Sequence, residues 1–402
     1  MALDLNQVAA QIDRMAAGLK AEEINWKGRL IHALELLNSQ SANLDRLRAR
    51  IEGHKTSLLV AGVTGRLDRR YQPPTCPPDY TAIATDGSHI DVDRHSPARC
   101  YLVNIGCSVL RYGNAADATL FSRPTLYASK EDLVIENPNG SDEQLIEGGL
   151  LGIKRSVAEC HALVELGEKL GSNLPAVALL DGSLILWALA GRAYPDYVRD
   201  EMLKNGFLPA LERIREVSRK TSLALASYIS LPRSREVVNT LTISICPYDP
   251  PNCDRHCPRN STPRKNACEV IAGLRDRDLF GALLEPGERS ETFISLSSVV
   301  RDYYGDHEVR FFYLNTGDEI ARVEIPRWVE DMGHTDTLHA LVLDQCRRGQ
   351  GYPVALSESH EQAVVRASDR EQFQRLVELA LSRHSLSTAT SEKNRSKRTR
   401  WI

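Results

Sequence analysis

The tripeptide Asp-Gly-Ser occurs twice in this chain, each time after an apolar run. Residues 81–90 read T-A-I-A-T-D-G-S-H-I and carry Asp86-Gly87-Ser88. Residues 176–189 read A-V-A-L-L-D-G-S-L-I-L-W-A-L and carry Asp181-Gly182-Ser183. Apolar runs of this length read as strands buried on both faces. A carboxylate at the end of such a strand is costly to desolvate unless a positive group meets it. Two such strands side by side place two carboxylates together, and a divalent cation relieves their repulsion. The competing reading is that each aspartate opens a strand-end turn beside a permissive glycine. Repetition on two buried strands favours the metal reading.

Two further residues join these acids as candidates. Glu159 sits at the edge of an apolar helical stripe formed by Ile146, Leu150, Ile153, Val157, Cys160 and Val164. Its helical neighbours include Ser156, Ala162 and Leu163, so its face is not a solvated run of charge. His360 falls on a predicted helix, where a lone histidine is more often a packed or surface residue than a functional one.

A different chemistry is signalled by Cys246, Cys253, Cys257 and Cys268, spaced C-x6-C-x3-C-x10-C, with His256 among them. The stretch is rich in proline and charge and offers little core for packing. A zinc ion or an iron–sulfur group would hold such a loop in shape, and free thiols are the equal alternative.

The elements that position these residues follow from periodicity. Residues 1–62 read as a helical arm, with Leu5, Val8, Ile12, Met15 and Leu19 at three-four spacing. That arm packs on its own domain or seeks a partner. Residues 63–80 hold Pro73, Pro74, Pro77 and Pro78 and read as an extended linker. The main domain, 81–385, opens with three strands at 81–90, 99–110 and 119–127. A helix over 143–170 leads into the strand ending at Asp181. A helix over 196–220, a strand over 221–230 and a helix from 234 follow. The cysteine stretch 246–268 is an insertion. A hairpin joins 309–314 to 319–325 across Asn315-Thr316-Gly317-Asp318. A helix over 338–348, a short strand over 351–356 and a helix over 357–367 complete the domain. Residues 386–402, with a basic run from Lys393 to Arg400, read as a disordered tail. This order gives the α/β class: a mixed sheet with helices on both faces.

Composition narrows the function classes. The chain has 402 residues, 42% hydrophobic and 26% charged, which is the make-up of a soluble globular protein. Its formal net charge of -3 carries no basic signature. Nucleic acid, if bound, meets a local patch or a metal rather than bulk charge. No apolar run reaches the ~20 residues of a membrane span. An early Asp4 and the lack of an apolar signal core argue against export, so the expected location is cytoplasmic. The nine cysteines are then expected to be thiols or metal ligands, not disulfides.

Taken as an ordered set, several of these segments resemble the NurA nuclease family. They are D-G-S at Asp86, D-G-S-L at Asp181, the Phe311-Phe312-Tyr313-Leu314 hairpin running to Ile325-Pro326-Arg327-Trp328, and G-Y-P-V-A-L with S-H-E between Gly351 and Glu361. The resemblance spans roughly residues 82–368 and does not include the cysteine stretch. It implies a ribonuclease H-like fold and a manganese-dependent DNA nuclease. It further implies a HerA-type hexameric ATPase as partner in DNA end processing and repair, and a homodimer. Asp86, Glu159, Asp181 and His360 match the family's site residues, and Tyr352 falls in the last motif as a candidate for substrate binding.

On that resemblance two manganese or magnesium ions about 4 Å apart serve phosphodiester hydrolysis. Asp86 bridges them, Asp181 and Glu159 each hold one, and His360 ligates the second or moves a proton near the leaving oxygen. Arg233, Arg235 and Arg327 are candidates for phosphate contact, with structural ion pairs as the alternative. Two rival readings stand beside this one. The chain could be a non-catalytic partner docking on a ring ATPase through its N-terminal helices, or a nuclease of the same fold acting on RNA.

Overall fold

The computed structural model describes residues 4–93, 98–171, 174–191, 193–257 and 267–386. The basic run at 393–400 lies outside them. The chain forms two compact units. One comprises Met1–Gln72, Ser230–Ser297 and Arg310–Arg322. The other comprises Pro73–Ile229, Ser298–Val309 and Val323–Ile402, and it contains every acid of the candidate site.

That second unit is built on β1 (Tyr80–Ile90), β2 (Tyr101–Tyr112), β3 (Asp117–Tyr127), β4 (Ala176–Asp181) and β5 (Leu223–Ile229), with the end of β6 (Ile320–Pro326). The spatial order is β3–β2–β1–β4–β5, with β6 beyond β5. The first two pairings are antiparallel. β1, β4 and β5 run parallel. Order and direction are those of the ribonuclease H-like sheet that the resemblance implied. The apolar runs behave as their composition requires: Val177, Ala178 and Leu179 on β4 are fully buried. β3 forms the edge, and its side chains are mostly exposed.

Helix α1 (Gly149–Gly167) crosses from β3 to β4, and α2 (Leu208–Lys220) from β4 to β5. Helices α3 (Thr335–Arg348) and α4 (Val354–Ala363) follow β6. Alternation along β1 shows which helix covers which face. The Thr85 hydroxyl donates to the Glu159 carbonyl on α1, 2.9 Å away, whereas the Ser88 hydroxyl donates to the Ala363 carbonyl on α4. Successive strand side chains point to opposite faces, so α1 and α4 cover opposite sides of the sheet.

Three predicted elements differ. The helix expected over 143–170 begins only at Gly149, because Glu143–Leu145 pairs as a short strand with Val134–Glu136. The helix expected over 196–220 is broken into a short α segment, a wider π segment at Asp200–Phe207, and α2. The strand expected over 351–356 is a turn followed by helix. Gln350 and Gly351 take left-handed backbone conformations (φ 54° and 105°) and α4 starts at Val354. Its buried residues Ala355, Leu356, Ser359 and Ala363 carry helical spacing that the short apolar run disguised.

The first unit surrounds its own core. Leu37 and Leu47, on helices Leu5–Ser41 and Leu44–Gly53, cluster with Val237, Leu241, Phe280 and Phe311. Residues 1–62 thus share a unit with 230–297, a partnership that periodicity alone does not specify. Towards its N-terminus the long helix leaves Leu5, Ile12, Met15 and Leu19 exposed. Arg322 and Glu236 form a buried pair at 2.7 Å, with the guanidinium over the Phe311 ring. Among the described residues, no helix is long and apolar enough to cross a membrane.

Candidate active site

Asp86 lies within β1, not at its end, and pairs with Gly106 on β2. Gly106 decides what can pack here. A Cβ at that position would stand 2.0 Å from the Ser359 carbonyl oxygen and 2.4 Å from the Ala363 nitrogen of α4. Only glycine lets α4 lie this close. The approach brings His360 to Asp86: its Nδ1–H donates to Asp86 Oδ2 at 2.6 Å. The other Asp86 oxygen accepts the Gly87 N–H at 2.7 Å.

Gly87 plays the same part on the opposite face. A Cβ there would fall 2.5 Å from Glu159 Oε1 and 2.8 Å from Arg155 Cγ. Glu159 is 7% exposed. Arg155 Nε stands 3.0 Å from Glu159 Oε1. The contact is ionic rather than a hydrogen bond, because its geometry leaves both atoms without a hydrogen-bond partner. Burial pushes the Glu159 carboxyl up to about 7; Arg155 pulls it back, and the charges of Asp86 and Asp181 push it further up.

Asp181 does end its strand. Gly182 follows at φ 86° and turns the chain. The hydroxyl of Tyr352 donates to Asp181 Oδ1 at 2.9 Å. The carboxylate reaches solvent, yet partial desolvation raises its pKa and Asp86 adds to the rise; the Tyr352 hydroxyl, the Gly182 N–H and His360 oppose it. The following turn is braced by Glu324 of β6, itself 1% exposed. Glu324 accepts from the Ser183 hydroxyl at 2.8 Å and the Leu184 N–H at 2.9 Å. Ser183 thus stabilises its turn, whereas Ser88 ties β1 to α4.

Asp86, Glu159, Asp181, His360 and Tyr352 therefore come to one region of the second unit, close enough for Asp86 and Asp181 to raise the Glu159 pKa and for Asp86 to raise that of Asp181. Each carboxylate has its own partner: His360, Arg155 or Tyr352. Among the described residues, no three His, Cys, Asp or Glu side chains stand at the spacing that holds a metal ion. The donor set, carboxylates with one imidazole, nevertheless fits a hard divalent cation such as magnesium or manganese. Glu159 Oε1, which is buried with the Arg155 ion pair but no hydrogen bond, is the atom such a cation would satisfy.

The other candidates have contacts of their own. Arg233 and Arg235 belong to the first unit, where the Arg235 guanidinium donates to the Leu274 carbonyl at 3.0 Å. Arg327 pairs with Asp331 at 3.3 Å. Cys246, Cys253, Cys257 and Cys268 are half-buried free thiols of the first unit. Residues missed from sequence are Arg155, Glu324 and the two glycines. Arg155 was detectable at i−4 from Glu159, and Glu324 as an acid inside an apolar strand. The role of Gly106 depends on a helix some 250 residues away in sequence and leaves no local trace.

Comparison with known proteins places the chain. No curated protein matches it. Among solved structures, LC9-RNase H1, a type 1 RNase H with the type 2 active-site motif, is 12% identical over 40% of this chain and 69% of its own, with a TM-score of 0.20. Thermus thermophilus RuvC is 8% identical over 50% of this chain and 96% of its own, with a TM-score of 0.15. Similarities that weak carry no argument, and the fold rests on the strand order above. The family model of the NurA domain matches residues 80–365, well over half of the chain and the whole of the candidate site. The chain belongs to the NurA domain family.

Proposed function

We propose that this protein is a divalent-metal-dependent deoxyribonuclease that hydrolyses phosphodiester bonds. The observation that supports it most is the meeting of Asp86, Glu159, Asp181 and His360, which are separated by up to 274 residues in sequence. Burying acids together is unfavourable unless something uses their repulsion. Asp86, Asp181 and Glu159 would hold magnesium or manganese. When bound, such ions supply an activated water and neutralise charge at the attacking and leaving oxygens.

The chain's own residues do the rest. Asp86 fixes the His360 ring through Nδ1, which leaves Nε2 to carry a proton at the leaving oxygen. The His360 side chain is 62% exposed, so a strand of nucleic acid has access to it. Tyr352 favours the ionised form of Asp181. Glu324 holds the turn that aims Asp181. The finer parts of the proposal rest on the family resemblance alone: DNA rather than RNA as substrate, end processing in double-strand break repair, a HerA-type ATPase as partner, and a homodimer.

The test is cleavage of labelled single-stranded DNA, double-stranded DNA and RNA of one sequence, with manganese, magnesium or chelator. DNA cleavage that needs the ion and disappears in Asp86→Ala and Asp181→Ala is the expected result. Folded wild-type protein that cuts no DNA under any of these conditions overturns the proposal, and preferential cutting of RNA overturns the choice of substrate.

A further inference from the structure

The stretch 247–257 of the first unit has almost no core of its own. Pro251 is its one buried residue. Its backbone is nonetheless pinned. The buried Arg50 donates to the carbonyls of Ile243 at 3.2 Å, Cys246 at 2.5 Å and Tyr248 at 2.9 Å. The Lys55 N–H donates to the Pro251 carbonyl at 2.7 Å. Asn252 caps the short turn Cys253–His256 by accepting the Arg255 N–H. On that turn the Cys257 N–H donates to the Cys253 carbonyl at 2.8 Å, so both thiols project from one helical turn. His256 does not compete, because its ring is stacked on Tyr248 at 3.9 Å. Cys268 lies on Ala267–Ile271, whose Ile271 is anchored in the same core as Val237 and Leu241. Cys268 interacts electrostatically with Cys246, Cys253 and Cys257, and Cys253 with Cys246 and Cys257, so the four are neighbours.

We propose that Cys246, Cys253, Cys257 and Cys268 form a structural zinc site that takes the place of the missing core under this loop. Four thiolates around one tetrahedral ion are a soft donor set that selects zinc, whereas the carboxylate-rich set of the other unit selects harder cations. The sulfurs are not at ligand spacing. Zinc draws them to about 2.3 Å from one centre over a backbone that Arg50 and Lys55 already hold. Each thiol gives up its proton as its sulfur binds, and the Arg50 charge beside Cys246 offsets part of the negative charge that results. The site stands apart from the nuclease reading and does not depend on it.

The experiment is elemental analysis of the full-length chain, purified without a histidine tag, followed by stripping with a strong chelator and refilling with zinc, manganese or cobalt. The expected result is about one zinc per chain that manganese does not replace, tetrahedral thiolate bands with cobalt, and a lower melting temperature after stripping that zinc alone restores. Folded wild-type protein that holds no zinc and takes none up overturns the proposal. So does iron with the visible absorption of an iron–sulfur group. Because Cys→Ser variants can misfold, the conservative pair Cys253→Ser and Cys257→Ser is read by zinc content at matched circular dichroism; full zinc retained in the double variant also overturns it.

Discussion

His360 Nδ1 stands 2.6 Å from Asp86 Oδ2, joining the last motif of the chain to its first. The contact makes the two residues one functional unit. His360→Ala is expected to lower cleavage by roughly 10²–10⁴-fold, the usual range for a general acid–base group. The fold should survive, since the ring is largely exposed. Asp86→Asn is expected to lose at least as much, because it weakens both the cation site and the support of the imidazole. The double variant should be little worse than Asp86→Asn alone, as expected for coupled residues. Additive losses in single-turnover cleavage would show that the two act separately.

Glu159 predicts a pH dependence of stability. Its carboxyl rises from 4.5 to about 7 on folding, chiefly through burial. The folded state therefore holds a proton that the unfolded chain releases, and stability falls as pH rises from about 4.5 to about 7, then levels. The full effect is about 3 kcal/mol, from about 1.4 kcal/mol per pKa unit. In chelator, Glu159→Gln should be more stable than wild type at pH 8 by part of that amount, since the Arg155 contact is lost, and should show no gain at pH 4. Added manganese should stabilise wild type at pH 8 and leave the variant largely unmoved. Denaturant melts at the two pH values read this directly, and an equal gain at both would contradict the buried acid.

The glycines offer a paired test. Gly106→Ala puts a methyl 2.0 Å from a carbonyl oxygen of α4, and backbone cannot yield as a side chain can. A loss of about 3 kcal/mol or more is expected, with a fall in cleavage as α4 and His360 are displaced. Gly152→Ala on α1 meets nothing within 4 Å and should stabilise by about 1 kcal/mol. Thermal melts of both variants check the contrast.

These positions show what the sequence could and could not disclose. Asp86, Asp181 and Glu159 were legible because each breaks an apolar pattern, and buried polarity is conspicuous. The two Asp-Gly-Ser copies looked alike, yet one continues a strand and the other turns it. The difference lies in the glycine that follows: Gly87 continues the β1 ladder opposite Ile105, whereas Gly182 takes φ 86° and leaves the strand. The α4 segment was misread because six residues of apolar character fit a strand and a helical turn equally well. The place of residues 1–62 beside Val237 and Phe280 could not be read, since a helical stripe states that it is buried without naming its partner.

Tyr352 allows the site's electrostatics to be tested without disturbing its packing. The hydroxyl donates to Asp181 at 2.9 Å, and the ring stands edge-on to Tyr228 with centroids 5.4 Å apart. Tyr352→Phe keeps the ring contact and removes only the donor. The hydroxyl favours ionised Asp181, so its loss raises the Asp181 pKa. If cleavage needs Asp181 ionised, the acidic limb of the pH–rate profile moves to higher pH. One hydrogen bond to a carboxylate is worth about 1.5 kcal/mol, which corresponds to about one pH unit. The variant should therefore lag wild type most on the acidic limb and approach it on the alkaline plateau. A uniform loss across the profile would mean that the hydroxyl acts on the substrate and not through Asp181.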